Sequence, residues 1–293
     1  MVYRAGDIHH SLFLTNRCNS YCVMCSQPPT AHDDAWLQEE ALDIVRHIED
    51  SPNCIGLTGG EPLLLGTRLR DIIGLLQVVH PETRIEVLTN GRLFSNPQLA
   101  DDMLVDLRAG IKWLVPLYGH ADFLHDFVVQ SPGAFEQTLD GLLTLQDYAQ
   151  SIQLRIVLIK PVLEHLVQLC EFIGRNLPFV QEVALMSCEP IGFALANRAL
   201  TEVDLLAWSE TLRAASRILQ RYRVHHLYMN APLCALPQEL WPYAHRSISD
   251  WKQVYKPACD GCVVKSRCAG LFAWHSKGWT PAAVRPFEET KNE

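Results

Sequence analysis

Long hydrophobic runs are missing from this sequence. Nowhere in its 293 residues do about 18 uncharged apolar side chains follow one another, so no membrane-spanning helix and no membrane partner are expected. The opening Met1-Val-Tyr-Arg-Ala-Gly-Asp7 lacks the basic-then-apolar order of an export signal. Blocks of Lys and Arg are missing too. The 25 basic side chains are outnumbered by 33 acidic ones, a formal net charge of −8, which removes the electrostatic footprint of a nucleic-acid binder. Cysteine is not scarce. Ten cysteines without an export signal predict a reducing, cytoplasmic setting, where thiols bind metal instead of pairing. The remaining composition, 48% hydrophobic and 20% charged, is that of one large globular domain or one and a half, long enough to bury a substantial core.

Three of the cysteines share one short stretch, Cys18-Asn-Ser-Tyr-Cys22-Val-Met-Cys25. The spacing places three soft thiolates on one tight loop, a ligand set suited to an iron–sulfur cluster. A cubane of four irons takes four ligands, so three thiolates leave one iron open to a small molecule. A zinc site or a disulfide scaffold is the plainer alternative. Structural zinc pairs two Cys-x-x-Cys knuckles, and Cys22–Cys25 with Cys259–Cys262 would supply them, but Cys18 would then have no role.

Strands and helices alternate along the first 222 residues. Strands are expected at 10–15, 55–58, 84–89, 112–117, 153–159 and 182–187. Helices are expected from Asp33 and Asp34 to about 50, from a Thr67 cap, and from an Asn96–Pro97 start to Gly110. Others run from Ser131–Pro132, from 163 to 176, and from a Thr201 cap to 222. Alternation at roughly 28 to 43 residues per unit argues for an α/β fold, a parallel sheet with crossover helices. Six units are too few for a closed eight-stranded barrel. A partial (βα)6 TIM-like barrel is expected, with its chemistry at the C-terminal ends of the strands. Residues 223–229 read as a further strand, after which the composition turns to Pro, Trp, Tyr and Cys. The expected division is a core barrel at 1–222 and a small cysteine-rich extension at 223–293.

The C-terminal strand ends carry the remaining signals. Thr58-Gly59-Gly60-Glu61-Pro62 leaves the second strand, and its two glycines permit close approach of a ligand. Taken with the cysteine loop on the first strand, it resembles the signature of the radical S-adenosylmethionine (SAM) enzymes. The resemblance implies that Cys18, Cys22 and Cys25 hold a 4Fe–4S cluster whose open iron is chelated by SAM. The cluster's electron would cleave the sulfonium to a 5′-deoxyadenosyl radical. The segment Gly59, Gly60, Glu61 and Pro62 would meet the amino group, whose charge needs a carboxylate or carbonyls when it leaves water. Met24, Thr89 and Asn90 complete the implied cofactor contacts, the last two toward the ribose or the carboxylate. Arg155 joins them on chemical grounds, because an arginine within an apolar strand needs an anionic partner and a ligand carboxylate is one. His125 and Asp126 read first as loop-ordering residues and second as a proton relay. Cys54 and Cys170 read as core, whereas Cys188 sits at the reactive edge with its role open.

The extension holds Cys234, Cys259, Cys262 and Cys268 among polar residues that do not fold without a metal or an equivalent staple. By spacing alone, zinc and a second 4Fe–4S cluster both fit. Resemblance to radical enzymes that act on peptides implies the auxiliary cluster. It would be a single one, because a two-cluster extension has a further cysteine where this chain has Phe272. A closer resemblance rests on the strings Leu14 to Pro29, Asn230-Ala-Pro-Leu-Cys234 and Ser247-Ile-Ser-Asp-Trp251. They resemble the radical maturases of the His-Xaa-Ser repeat peptide system. This implies oxidation or crosslinking of a ribosomally made precursor peptide. It also implies a second radical maturase, a peptide-presenting protein, and an electron donor such as flavodoxin or ferredoxin. Two other classes stay open: a radical dehydrogenase or cyclase of small molecules, and a non-enzymatic zinc or redox scaffold. Cys18 lies so near the start that no recognition domain is expected before it. Trp241, Tyr243, Trp251 and Tyr255 would line a peptide groove or, the favoured reading, form the small core of the extension.

Overall fold

The computed structural model describes residue 7, residues 10–277, residue 279 and residues 281–288. Residues 1–6, read above for an export signal, lie outside the described residues. Eight strands form one sheet in sequential order, every neighbour parallel: β1 His10–Phe13, β2 Cys54–Thr58, β3 Arg84–Leu88, β4 Ile111–Pro116, β5 Ser151–Leu158, β6 Glu182–Ser187, β7 His225–Met229 and β8 Ala244–His245. The sheet curls without β8 pairing to β1, which makes a half-barrel. Helices α1 Ala35–His47, α2 Thr67–Val79, α3 Pro97–Leu104, α4 Asp122–Val129, α5 Ala134–Asp147, α6 Lys160–Glu164, α7 Leu166–Asn176, α8 Phe193–Ala196, α9 Arg198–Thr201 and α10 Ser209–Arg221 supply the crossovers and flanking turns. A two-stranded antiparallel ribbon, β9 Gln253–Val254 with β10 Leu271–Phe272, lies in the cysteine-rich stretch. No helix among the described residues is long and apolar enough to cross a membrane.

Strand periodicity builds the two faces. Successive side chains alternate, so Ile55, Leu57, Ile85, Val87, Trp113 and Leu154 all point one way and are fully buried in one core with Leu69, Ile72 and Leu142 of the helices. The register aligns Gly56 with Glu86, Glu86 with Lys112, and Gln153 with Glu182 on the opposite face. That concave face, the lumen, carries charge. A parallel sheet covered by helices on both sides would not tolerate it.

The expected half-barrel is therefore present, with two more strands than six units supply. β7 matches the further strand expected at 223–229, whereas β8 has only two residues and no period to read. Several element ends differ. Asn96 caps α3 as expected, its Oδ1 accepting from the Gln98 and Leu99 amides, but α3 stops at Leu104 rather than at Gly110. Gly66, not Thr67, precedes α2, and it does so at φ +52°, a conformation that favours glycine. The helix expected from Ser131 begins at Ala134, and α4 ahead of it was not expected. Thr201 caps no long helix. It is the last residue of α9, and its hydroxyl donates to the Ala194 carbonyl at 2.7 Å, while α10 begins at Ser209. The helix expected over 163–176 is broken at His165 into α6 and α7. Cys170 is core, but Cys54 is not: the strand period puts it on the lumen face, beside Arg84 and Glu86.

Candidate functional site

The cysteine loop leaves β1 at its C-terminal end and is held from several sides by backbone bonds. The Gly60 amide donates to Thr15 O at 2.7 Å and the Glu61 amide to Arg17 O at 2.8 Å, which joins the loop to the end of β2. The Tyr21 and Val23 amides donate to Val129 O and Val128 O at 3.0 and 2.9 Å, which joins it to α4. On the far side the Phe193 amide donates to Cys25 O at 2.8 Å, and Asn197 Nδ2 donates to Val23 O at 2.9 Å.

Two buried side chains, neither singled out from the sequence for this role, complete the clamp. Asp34 does not cap α1. Its Oδ2 accepts from Thr15 Oγ1 at 2.8 Å and from the Asn16 amide at 2.5 Å, while Gln38 Nε2 donates to Leu14 O. Arg92 Nη1 donates to Asn19 O at 2.6 Å and Ser20 Oγ at 2.9 Å, and its Nε donates to Gln137 Oε1. A charge-assisted bond to a carbonyl is stronger than a neutral one, so Arg92 fixes the middle of the loop to β3 and α5. The available signal was an arginine directly after the Asn90–Gly91 turn, but its partner lies 73 residues away.

Three thiols and one carboxyl converge here. Burial pushes the Cys22 thiol up to about 12, reinforced by Cys25 and Cys18. Burial likewise raises Cys18 to about 11, with the Glu61 charge next in effect, and raises Cys25. Such thiols stay protonated and neutral without a cation, and a bound metal would deprotonate them. Among the described residues no three His, Cys, Asp or Glu side chains converge tightly enough for a single metal ion.

Gly59 and Gly60 sit against the loop backbone. A Cβ on Gly60 would lie 2.1 Å from Arg17 O, and one on Gly59, at φ +149°, would lie 2.5 Å from Thr15 O. Glu61 is fully buried, and its carboxylate is already engaged by the protein. Oε1 accepts from the Leu63 amide at 2.8 Å and Thr89 Oγ1 at 2.5 Å, and Oε2 accepts from the Asn90 amide at 2.7 Å. Burial raises its pKa although these donors oppose the rise. Thr89 and Asn90 thus meet Glu61 directly, and Asn90 Nδ2 also donates to Asn19 Oδ1. Pro62 starts a short 3-10 turn that Glu61 caps, and Met24 points into the core. Arg155 is on β5, facing the lumen opposite Pro116 and Ala184.

Asp126 orders its loop by accepting from the Gly133 and Phe135 amides at 2.6 and 2.7 Å. His125 is buried and kept neutral, its pKa lowered by burial to about 4, and Nδ1 accepts from the Tyr118 amide at 3.2 Å. The folded value lies below the ordinary 6.5, so this histidine's contribution is present above pH 6.5 and is lost as pH falls toward 4. Thermal unfolding should show the wild type losing about 2 kcal/mol more than His125→Gln between pH 7.5 and 5. Equal acid slopes would show that His125 does not titrate in the fold.

The four extension cysteines line one small cavity, together with Tyr255, Lys265 and residues 284–287. Amides point at their sulfurs: Leu233 and Gly270 at Cys268 Sγ, 3.3 and 3.4 Å, and Phe287 at Cys262 Sγ, 3.4 Å. Of the four aromatic residues considered for a groove, Trp241 packs on Phe287 with its indole N–H bonded to Leu233 O and Leu236 O. Tyr243 stacks on His226, and Tyr255 donates to Cys268 O. Only Trp251 of the four stays exposed, at 42%. Glu189, past the end of β6, accepts from Lys252 Nζ at 3.0 Å and Trp274 Nε1 at 2.6 Å, which joins the barrel mouth to the extension.

A model of the Radical SAM superfamily matches residues 12–173, more than half of the chain. Among curated proteins, the chain is 38% identical over 97 residues to GTP 3′,8-cyclase of Paenarthrobacter nicotinovorans, 30% of this chain and 26% of that protein. It is 31% identical over 165 residues to AdoMet-dependent heme synthase of Methanosarcina barkeri, 54% of this chain and 44% of that one. Among solved structures, SuiB of Streptococcus suis bound to S-adenosylmethionine superposes with a TM-score of 0.64 at 12% identity, over 79% of this chain and 52% of SuiB. SuiB bound to its precursor peptide SuiA gives 0.61 at 11% identity, over 76% and 49%. This likeness shows the fold. The chain spans between 26% and 52% of the length of these relatives.

Proposed function

Because the chain belongs to the radical SAM superfamily, we propose that it cleaves SAM reductively and oxidises or crosslinks a ribosomally made peptide, one with His-Xaa-Ser repeats. Membership implies a 4Fe–4S cluster and SAM. The observation that carries the reading is the convergence of Cys18, Cys22 and Cys25 beside the Gly59–Gly60 backbone at the C-terminal edge of the sheet. When bound there, the cluster supplies the electron that breaks the sulfonium and yields a 5′-deoxyadenosyl radical. The chain's own part is positional. Arg92 and Asp34 fix the loop, and the paired glycines let the end of β2 pack directly against its backbone. In this account Glu61, held by Thr89 and Asn90, keeps the ends of β2 and β3 in register and lends negative charge to the ammonium. Fixing the target beside the radical source accounts for specificity, because a correctly oriented pair needs no further ordering at the moment of reaction.

In the same reading Cys234, Cys259, Cys262 and Cys268 hold an auxiliary 4Fe–4S cluster in the stretch 223–293. Its support is a cavity lined by all four thiols, with amides aimed at two of the sulfurs. Such a cluster would take up the electron left on the substrate and so make the net change an oxidation. A peptide substrate is supported by the likeness in fold to SuiB, which has been solved with its precursor peptide. All ten cysteines are free thiols, which suits a reducing, cytoplasmic setting.

The test is anaerobic incubation with SAM, dithionite and a synthetic peptide of His-Xaa-Ser repeats. Release of 5′-deoxyadenosine with loss of hydrogen mass from the peptide is expected. Release of 5′-deoxyadenosine with an unchanged peptide would move the substrate to a small molecule. No release at all would overturn the radical reading for this chain.

A further inference from the structure

The lumen charges are paired, with one exception among the described residues. Lys112 Nζ lies 3.4 Å from Glu182 Oε1, His225 Nδ1 lies 2.8 Å from Glu182 Oε2, and Arg84 Nε lies 3.5 Å from Glu86 Oε1. Arg155 differs. Its Nε donates to Gln153 Oε1 at 3.0 Å, yet it forms no ion pair, and Nη1 and Nη2 make no hydrogen bond. Arg155 is half-buried, so its remaining donors face lumen solvent and are open to a ligand acceptor.

Tyr118 lies next to it. The register sets Pro116 opposite Arg155, and the Leu117 amide continues the ladder to Arg155 O at 3.2 Å. Strand alternation therefore turns Tyr118 to the same lumen face, one layer nearer the mouth. Only 7% of Tyr118 is exposed, its ring stacks on His125 at 5.9 Å, and its hydroxyl makes no hydrogen bond among the described residues. Cys22, Cys25, Cys188 and Arg155 all lie near enough to act on its ionisation, so the phenol is close to both the cysteine loop and the guanidinium. Both groups present donors into the same space. A guanidinium cannot accept, and it matches a carboxylate with two parallel bonds.

We propose that Arg155 and Tyr118 form a carboxylate-binding subsite for the substrate in the half-barrel lumen, one layer below the cysteine loop. The inference rests on the radical reading of the mouth and adds a substrate feature to it: an acidic side chain or a free C-terminus near the reacting carbon. The cofactor's own carboxylate is the weaker occupant. Gly59 to Pro62, Thr89 and Asn90 gather at the ends of β2 and β3, whereas Arg155 and Tyr118 belong to β5 and the end of β4.

The experiment uses the cluster-loaded chain with SAM bound and no reductant, titrated calorimetrically with N-acetylglutamate amide and with its isostere N-acetylglutamine amide. The wild type should prefer the acid by about tenfold. Arg155→Gln should bring the two probes within about twofold, Tyr118→Phe should cut the preference roughly fourfold, and Arg155→Lys, which keeps the charge but not the two parallel bonds, should keep only part of it. SAM affinity by equilibrium dialysis should stay within about twofold in all three variants. No preference in the wild type, or a preference that survives Arg155→Gln, would overturn the subsite. SAM binding weakened about tenfold in Arg155→Gln would also overturn it, by giving the carboxylate to the cofactor. Release of 5′-deoxyadenosine by the wild type on adding dithionite is scored separately, so failure of the radical reading is distinguishable from failure of the subsite.

Discussion

Anaerobic reconstitution with iron and sulfide should load about eight irons per chain, and changing Cys18, Cys22 and Cys25 together to Ala should leave about four. The loss should be local. The loop is held mostly by main-chain bonds and by Asp34 and Arg92, none of which uses a cysteine sulfur. Replacing the thiols therefore removes three buried acids whose pKa values are raised, without touching the clamp, and the variant should melt within a few degrees of the wild type. The complementary variant, with Cys234, Cys259, Cys262 and Cys268 changed to Ala, should also leave about four irons, but with lower stability, since that polar stretch loses its staple. About four irons falling to none in the loop variant would assign the extension cysteines to zinc. No iron in any protein would remove both clusters from the account.

Gly60→Ala should abolish measurable SAM binding and cost about 3 kcal/mol or more, a fall of several degrees in Tm. The new methyl would lie 2.1 Å from Arg17 O and 2.7 Å from Arg17 C. These are backbone atoms, with no flexible side chain to swing aside, and Arg17 O is also the acceptor of the Glu61 amide. Relief requires the end of β2 and the cysteine loop to separate, which displaces the two components the cofactor must bridge. Gly74→Ala is the control. Nothing lies within 4 Å of its added Cβ in the middle of α2, so it should be neutral or stabilising by up to about 1 kcal/mol. Thermal melts and equilibrium dialysis of SAM on both variants decide the matter. Normal SAM binding by Gly60→Ala would show that the loop and β2 are less tightly joined than their bonds suggest.

Much of this architecture was legible because it is periodic. Alternating Ile, Leu and Val at β2 to β6 identified the strands, and the cysteine spacing with Gly59-Gly60-Glu61-Pro62 identified the mouth. The misses share a cause, since each depends on contacts remote in sequence. Asp34 does stand at the start of α1, but its carboxylate goes to Thr15 and Asn16 instead of capping the helix. Arg92 finds Asn19 and Ser20 more than 70 residues away. Cys54 was assigned to the core on residue type, although the alternation Cys54, Gly56, Thr58 against Ile55, Leu57 already placed it on the other face. Glu61 was expected to turn its carboxylate to a ligand, and only the fold reveals that three protein donors hold it.

The clamp on the cysteine loop also bears on how this chain tolerates change. Tyr21 and Val23 are secured through their amides, and every residue except proline has one. Tyr21 is 56% exposed at the rim of the mouth, and its side chain is not needed to shape the loop. Between the cysteines, then, sequence is free to drift at Tyr21 while the loop's geometry persists, encoded at a distance by Asp34, Arg92 and Gly60. A library randomised at Tyr21 should yield mostly folded chains, which makes the rim a place where new partner preferences can arise without rebuilding the centre they serve.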